Sequence, residues 1–289
     1  MRRSWRCSVV LALGLVACTP PAVVRDPLAP VEEWPTYGND PGSSRYSPLS
    51  EITKDNVEAW VRLEFFFARF QIGKFNLESA KKVEAVVNPT LVKNFEGWLA
   101  GIRSKHQMHP DLFKRDGWRQ LPKGTDPRDV ALRVRLFDHY QAYVSEFDWN
   151  RTLNVPVIGM IQATTRQAVN SIFENGFAAV STLDDGYYGR GIYFTRDLDY
   201  ALKYGKAALL GVVCPGNVYP VKEHPFRAGS LRGNPCQSGY QSHFTVVSKA
   251  NTVTAFPIGR SEVVNPQKHA DELVVFESAQ TLPLFVVYF

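Results

Sequence analysis

Nine residues, GYYGRGIYF at 186–194, crowd three glycines and three tyrosines together just ahead of an apolar stretch. Glycines beside a strand are where backbone amides can cradle a phosphate. The spacing of Gly186, Gly189 and Gly191 is G-x-x-G-x-G and comes before the strand, whereas the dinucleotide-binding fingerprint follows a strand and opens a helix. The glycines therefore read as a turn, and the tyrosines are left to explain. In HQMHPD, the residues His106, His109 and Asp111 have metal-ligating types, but a polar helix end running into a proline turn accounts for them better, and no metal site is expected. The chain has four cysteines and no CxxC spacing, so a zinc site of that kind is unsupported. Cys214 and Cys236 are either a pair formed in an oxidising compartment or two buried thiols, and the thiol reading is preferred.

The 289 residues are 45% hydrophobic and 21% charged, which suits one large globular domain or two small ones. The formal charge of +5 falls to +2 without Arg2, Arg3 and Arg6, so a nucleic-acid footprint lacks support. Those arginines precede the apolar run CSVVLALGLVA, which is too short to span a bilayer and fits a secretory signal over 1–17. Residues 19–50, rich in Pro, Gly, Ser and Asp, predict an extended tether with no core of its own.

Beyond residue 60 the texture changes to regular alternation. KKVEAVV (81–87) alternates like a half-buried strand. Asn88 and Pro89 then supply an N-cap and a first helical position for a helix whose apolar stripe is Leu91, Val92, Phe95, Trp98, Leu99 and Ile102. A loop is expected over 116–129 and a helix through VALRVRLFDHYQAYV. A short helix begins near Thr164 or Thr165, buries Val169, Ile172 and Phe173, and ends at Gly176. GIYFT reads as a strand, and Asp197 as the cap of a helix through LDYALKYG with Leu198, Ala201 and Leu202 inward. AALLGVVC, HFTVVSK, ELVVFES and PLFVVYF read as strands. Short helices early and strands late, without long regular crossovers, predict an α+β domain on antiparallel sheet.

Three resemblances add to this reading. Leu15-Val16-Ala17-Cys18 resembles a bacterial lipobox, which implies a lipid on Cys18 and an exported, membrane-anchored product. EEWPTYGNDPGSSRYSPLSEITKDNVEAW (32–60) resembles the N-terminal segment of PQQ-dependent quinoprotein dehydrogenases. It stops near Trp60-Val61 without that family's propeller repeats, so no PQQ site is expected, and 18–60 reads as a tether carrying a fragment. If those first sixty residues are a fusion of separate origin, the remainder is cytoplasmic.

The third covers about 75–289. IFENGF, YYGRGIYF, DYALKYG, GVVCPGNVYPV and DELVVFESAQTLPLFVVYF follow the order and approximate spacing of the catalytic domain of poly(ADP-ribose) polymerases and related diphtheria-toxin-like ADP-ribosyltransferases. KKVEAVVNPTLVKNFEGW resembles the strand and helix that open many such domains. The resemblance implies an ADP-ribosyltransferase fold over 61–289, with two packed, mainly antiparallel sheets, flanking short helices and an NAD cleft. It also implies transfer of ADP-ribose, as a single unit, from NAD to a protein or other nucleophile. A carboxylate near the ribose would stabilise the oxocarbenium-like sugar formed as nicotinamide leaves, and aromatic rings would clamp the pyridinium.

By the same resemblance, Tyr193 takes the tyrosine position of the family's catalytic triad, Tyr204 the second ring stacking on nicotinamide, and Glu272 the glutamate that binds the ribose 2'-hydroxyl. The family's His-Gly-Thr falls on Gln162-Ala163-Thr164, and a serine that faces the carboxamide falls on Ala201. Gln162 keeps hydrogen-bonding capacity, Ala163 keeps its backbone groups but adds a β-carbon, and Ala201 has no hydroxyl. A weakened enzyme, or a pseudoenzyme that binds NAD or ADP-ribose, is the alternative that these departures leave open.

Overall fold

The computed structural model describes residues 51–52, 80–86, 88–111, 126–145, 155–178, 185–249, 257–259 and 262–289. The signal segment, Cys18, the junction at Trp60-Val61 and most of the 116–129 loop lie outside them, as does all of the quinoprotein-like stretch but residues 51–52. The described chain is α+β, built on two mostly antiparallel sheets.

The first sheet has the order β1-β2-β9-β5-β3, and the second β4-β8-β7-β6. Their strands are β1 (Glu51–Ile52), β2 (Lys82–Ala85), β3 (Ile158–Thr164), β4 (Ile192–Phe194), β5 (Ala207–Val213), β6 (Val218–Pro220), β7 (Ser242–Ser248), β8 (His269–Val275) and β9 (Thr281–Tyr288). Among the described strands, only β6 and β7 pair in parallel. The four apolar runs read as strands became β5, β7, β8 and β9. They are buried along nearly their whole length, the condition under which alternation gives way to continuous apolar sequence. Three strands were not anticipated. β1 and β6 span two and three residues, too few for a period to show, and β3 carries the sequence IGMIQAT, whose small and polar residues mask its pairing with β5.

Among the described residues, four α-helices flank the sheets: α1 (Pro89–Met108), α2 (Pro127–Ser145), α3 (Arg166–Asn175) and the single turn α4 (Leu198–Ala201). Asn88 caps α1 as expected, accepting the Thr90 and Leu91 amides at 3.0 and 3.2 Å. Leu91, Phe95, Leu99 and Ile102 form its buried face, with Val92 and Trp98 packed at the margin. Thr165 and Gly176 bound α3 as expected, although only Val169 is fully buried, with Ile172 and Phe173 partly so. α2 starts earlier than expected. Asp126 accepts the Arg128 amide at 2.9 Å and Pro127 stands at the first position, so residues 127–129 are helical rather than loop. α4 stops at Ala201, short of the expected run to Gly205.

Two devices hold the sheets in register. Ile161 on β3 and Thr195, just past β4, exchange backbone hydrogen bonds of 2.8 and 2.9 Å, an isolated bridge from one sheet to the other. At the other crossing, β8 passes into β9 through a 3-10 turn (Ser278–Gln280) around the fully buried Gln280. The Gln280 Oε1 accepts the Phe276 and Glu277 amides, and its Nε2 donates to Pro215 and Gln241 carbonyls. One large apolar cluster fills the space beneath α2 and α3, with Phe244, Val246, Leu273 and Val275 from the second sheet and Ile158, Met160, Leu209 and Val286 from the first.

Asn88 also reaches across the fold, its Nδ2 donating to the Phe173 and Glu174 carbonyls at the end of α3. Loss of the cap costs about 1 kcal/mol, and loss of the two part-buried bonds about 1 kcal/mol each at most. Asn88→Ala is expected to lower unfolding free energy by ~2–3 kcal/mol in urea titration. Asn88→Ser, which keeps the cap and loses the cross-links, should recover about 1 kcal/mol of that.

Candidate functional site

The alternation of β8 sends two neighbouring acids to opposite faces. Asp271 enters the apolar cluster under α2, where its carboxylate accepts the Arg196 amide and the Tyr143 hydroxyl, the latter at 3.1 Å. The Arg196 guanidinium lies 4.3 Å from the Tyr143 ring centroid. Burial pushes Asp271 up to about 6, against the pull of Arg196. Glu272 faces the other way, onto a layer built from Tyr188, Tyr200, Val221, Leu231, Val247, Ala270 and Val274, with Tyr187, Tyr193, Tyr219 and Phe276 at its edge. Only 7% of Glu272 is exposed. A carboxylate on such a face needs hydrogen bonds to remain there.

Tyr200 supplies one. Its hydroxyl donates a short bond to Glu272 Oε1, and Tyr204 in turn donates to the Tyr200 hydroxyl at 3.1 Å. The two rings meet edge-on, 5.7 Å between centroids. Burial, and then the Glu272 charge, raise Tyr200 far above the ordinary phenol range, so it remains a donor at any working pH. Tyr204 is 58% exposed, a ring open to a flat ligand. Tyr200 was not among the residues singled out in the sequence. A tyrosine three places into a short helix, beside Leu198 and Ala201, reads as core packing, and no local signal marks its carboxylate partner 72 residues away.

Tyr193 sits on β4 opposite Val274, two residues from Glu272 along β8 and on the same face. Its hydroxyl is tied into the preceding turn, accepting the Tyr188 amide at 2.8 Å and donating to the Gly189 carbonyl at 2.9 Å. GYYGRG is thus a turn that closes on its own tyrosine. Gly189, at φ +118°, is packed so closely that a β-carbon would stand 2.7 Å from the Phe276 ring.

Ala163 and Ala201 pack in one small apolar cluster with Ile161 and Leu198, which seats α4 on β3. The turn after α4 lies on the end of β3, where a β-carbon on Gly205 would meet the Thr164 carbonyl at 2.0 Å. Gln162 pairs with Leu209 in the first sheet. Its buried Oε1 finds no hydrogen-bond partner among the described residues. The structure thus brings Glu272, Tyr193 and Tyr204 to one face, with Tyr200 among them, and seats Ala163, Thr164 and Ala201 at the adjoining strand end. Gln162 stands on β3 in the other sheet.

His243 forms the floor of the turn. Its Nε2 accepts the Gln237 amide at 2.8 Å, so Nδ1 carries the proton and donates it to the Tyr188 carbonyl at 2.6 Å. One ring therefore pins the 185–190 turn and the 234–240 loop together. Nothing in the sequence distinguished this histidine from an ordinary strand residue.

Cys214 and Cys236 are unbridged, and burial pushes both thiols up to about 12. His109 terminates α1, its amide donating to the Lys105 carbonyl. Among the described residues, no three His, Cys, Asp or Glu side chains come together as a metal-holding group, and no helix is long and apolar enough to cross a membrane. Compared with known proteins, the chain matches no family model and no curated protein.

Burial lowers the pKa of His243 below its ordinary value of 6.5. The unfolded chain therefore takes up the proton first, and His243 lowers stability as pH falls from its unfolded pKa toward its folded one. His139, pushed down to about 4 by burial, acts in the same sense. His243→Gln, whose Oε1 can still accept the Gln237 amide, should remove up to one proton from the slope of stability against pH below 6.5, about 1.4 kcal/mol per pH unit. Urea midpoints of both proteins between pH 7 and 5 measure the difference.

Proposed function

We propose that residues 61–289 form an NAD-dependent ADP-ribosyltransferase domain of the ADP-ribosyltransferase fold, which transfers ADP-ribose, as one unit, to a protein or other nucleophile and releases nicotinamide. The observation that carries this reading is Glu272: a buried carboxylate hydrogen-bonded to a tyrosine, on an aromatic face bordered by an exposed ring. The order of motifs along the sequence supports it, as does the α+β architecture of two mostly antiparallel sheets.

In the proposed reaction the bond between the ribose C1' and the pyridinium nitrogen breaks, and its electron pair leaves with nicotinamide. The sugar left behind has oxocarbenium character. Glu272 stabilises that charge through the ribose 2'-hydroxyl and orients the incoming nucleophile, whose lone pair forms the new bond to C1' as its proton departs. The Tyr193 ring forms one wall of the cleft, and its hydroxyl, already committed to the turn, holds the ring in place. Tyr204 covers the nicotinamide from the solvent side by stacking. The backbone at Ala163 takes the carboxamide, with Thr164 and Ala201 lining the end of the strand. Gln162 replaces a histidine as the hydrogen-bonding group for the ribose, and its unpartnered Oε1 is an acceptor for which a ribose hydroxyl is a suitable donor.

A second reading takes the same cleft as a binding module for NAD or ADP-ribose. The observation favouring it is the position of Gln162, on the neighbouring sheet and in contact with neither Tyr193 nor Glu272 through any hydrogen bond among the described residues. On either reading, a lipid on Cys18 would anchor the domain to a membrane.

Nicotinamide release from NAD by the full-length chain separates the readings. Transferase activity predicts measurable release, a loss of about a hundredfold or more in Glu272→Gln, and a gain in Gln162→His. No release, with Glu272→Gln binding NAD as tightly as the parent, would leave the binding module.

A further inference from the structure

We propose that Tyr200 is a positioning residue for Glu272, the inner link of a hydrogen-bond relay that runs from the exposed ring of Tyr204 to the buried carboxylate. The assignment rests on the reading of Glu272 as the carboxylate of the site. The relay has three members and two bonds: Tyr204 donates to the Tyr200 hydroxyl, and Tyr200 donates to Glu272 Oε1. A phenol that accepts one hydrogen bond becomes a better donor for the next, so the outer bond strengthens the inner one. The inner bond ends on a charged group and is of the stronger, charge-assisted kind.

The backbone that carries Tyr200 is fixed from several sides. Asp197 caps α4 by accepting the Tyr200 amide itself at 2.8 Å. The other oxygen of Asp197 pairs with Lys249 at the end of β7, and Lys203 donates to the Lys249 carbonyl at 3.1 Å. Ala201, the next residue, is buried against Ile161 and Ala163. Tyr200 therefore has little freedom to leave the carboxylate, and a rigid donor selects one rotamer of Glu272.

The groups that can influence the charge on Glu272 come from each neighbouring element. The turn and β4 contribute Tyr188 and Tyr193, α4 and its following turn contribute Tyr200, Lys203 and Tyr204, and β7 contributes Thr245, directly opposite Glu272, and His243. Tyr188 and Tyr200 are phenols raised well above their ordinary range, and His243 is held neutral, so none of these three brings a charge at neutral pH. The cation of this set is the Lys203 ammonium, 5.4 Å from the centre of the Tyr200 ring. With the phenol as the hydrogen-bond donor recorded at Oε1, its removal is expected to favour the protonated carboxyl.

The test is the titration of Glu272 in the full-length chain, read from the carbonyl stretch of its protonated form and identified by its absence in Glu272→Gln. Tyr200→Phe removes a single oxygen and should raise the midpoint by about one pH unit or more. Tyr204→Phe, at an exposed ring, should raise it by a smaller amount in the same direction. A Tyr200→Phe midpoint equal to the parent's, in a variant of unchanged melting temperature, overturns the relay. If Tyr200→Phe melts too low to titrate, Tyr204→Phe decides: an upward shift supports the relay and no shift overturns it. Neither readout uses NAD or turnover. A shift without nicotinamide release leaves the relay standing and removes the transferase reading, whereas Glu272-dependent release without a shift removes the relay alone.

Discussion

The exchange of two backbone hydrogen bonds between Ile161 and Thr195 is the constraint on which the site depends. It ties the last strand of one sheet to the first strand of the other. Apart from Glu272, which β8 brings alongside β4, the residues assigned to the site lie close to it along the chain: Gln162, Ala163 and Thr164 follow Ile161, Tyr193 precedes Thr195, and α4, with Tyr204 just beyond it, begins three residues after. The opposite crossing is held by Gln280, whose four hydrogen bonds stitch the β8–β9 corner to the loops beside β5 and β7. With both crossings pinned, the face of β8 that carries Glu272 has a fixed relation to the end of β3.

A carboxylate on that face is costly, and the fold offsets the cost locally. Burying an ionised acid without partners is unfavourable by several kcal/mol. The neighbouring Asp271 meets the same problem in the apolar cluster and meets it with an amide and a tyrosine hydroxyl, yet burial still pushes it up to about 6. Glu272 has the Tyr200 phenol fixed against it and is linked through that phenol to the exposed ring of Tyr204. Two adjacent acids with two tyrosine donors differ in that one is enclosed beneath a helix and the other is linked through Tyr200 to a ring at the surface. On the proposed reading, that difference is what suits Glu272, and not Asp271, to meet a ligand.

Much of the scaffold was legible from local chemistry. Asn88 and Asp197 read as caps, Thr164 or Thr165 as the start of the next helix and Gly176 as its terminator, because each acts on backbone groups within a few residues of itself. The apolar runs that became β5, β7, β8 and β9 followed from continuous hydrophobicity between turn residues. Glu272, Tyr193 and Tyr204 could be named only through the ordered likeness of motifs, because an isolated tyrosine or glutamate carries no local mark of function. Tyr200 and His243 escaped both routes. Their roles arise from partners 72 and 55 residues away in the sequence, and pairing over such distances leaves no periodic trace. β3 was missed for a related reason: its pairing partners, not its own composition, make IGMIQAT a strand.

The central claim is that the aromatic face around Glu272 receives the nicotinamide end of NAD. A crystal structure of the full-length chain with an NAD analogue whose glycosidic bond cannot be cleaved addresses it directly. The account predicts the nicotinamide ring against Tyr204 and the ribose hydroxyls within hydrogen-bonding distance of the Glu272 carboxylate. A nucleotide bound elsewhere on the protein, with this face closed over by its own tyrosines, would contradict it.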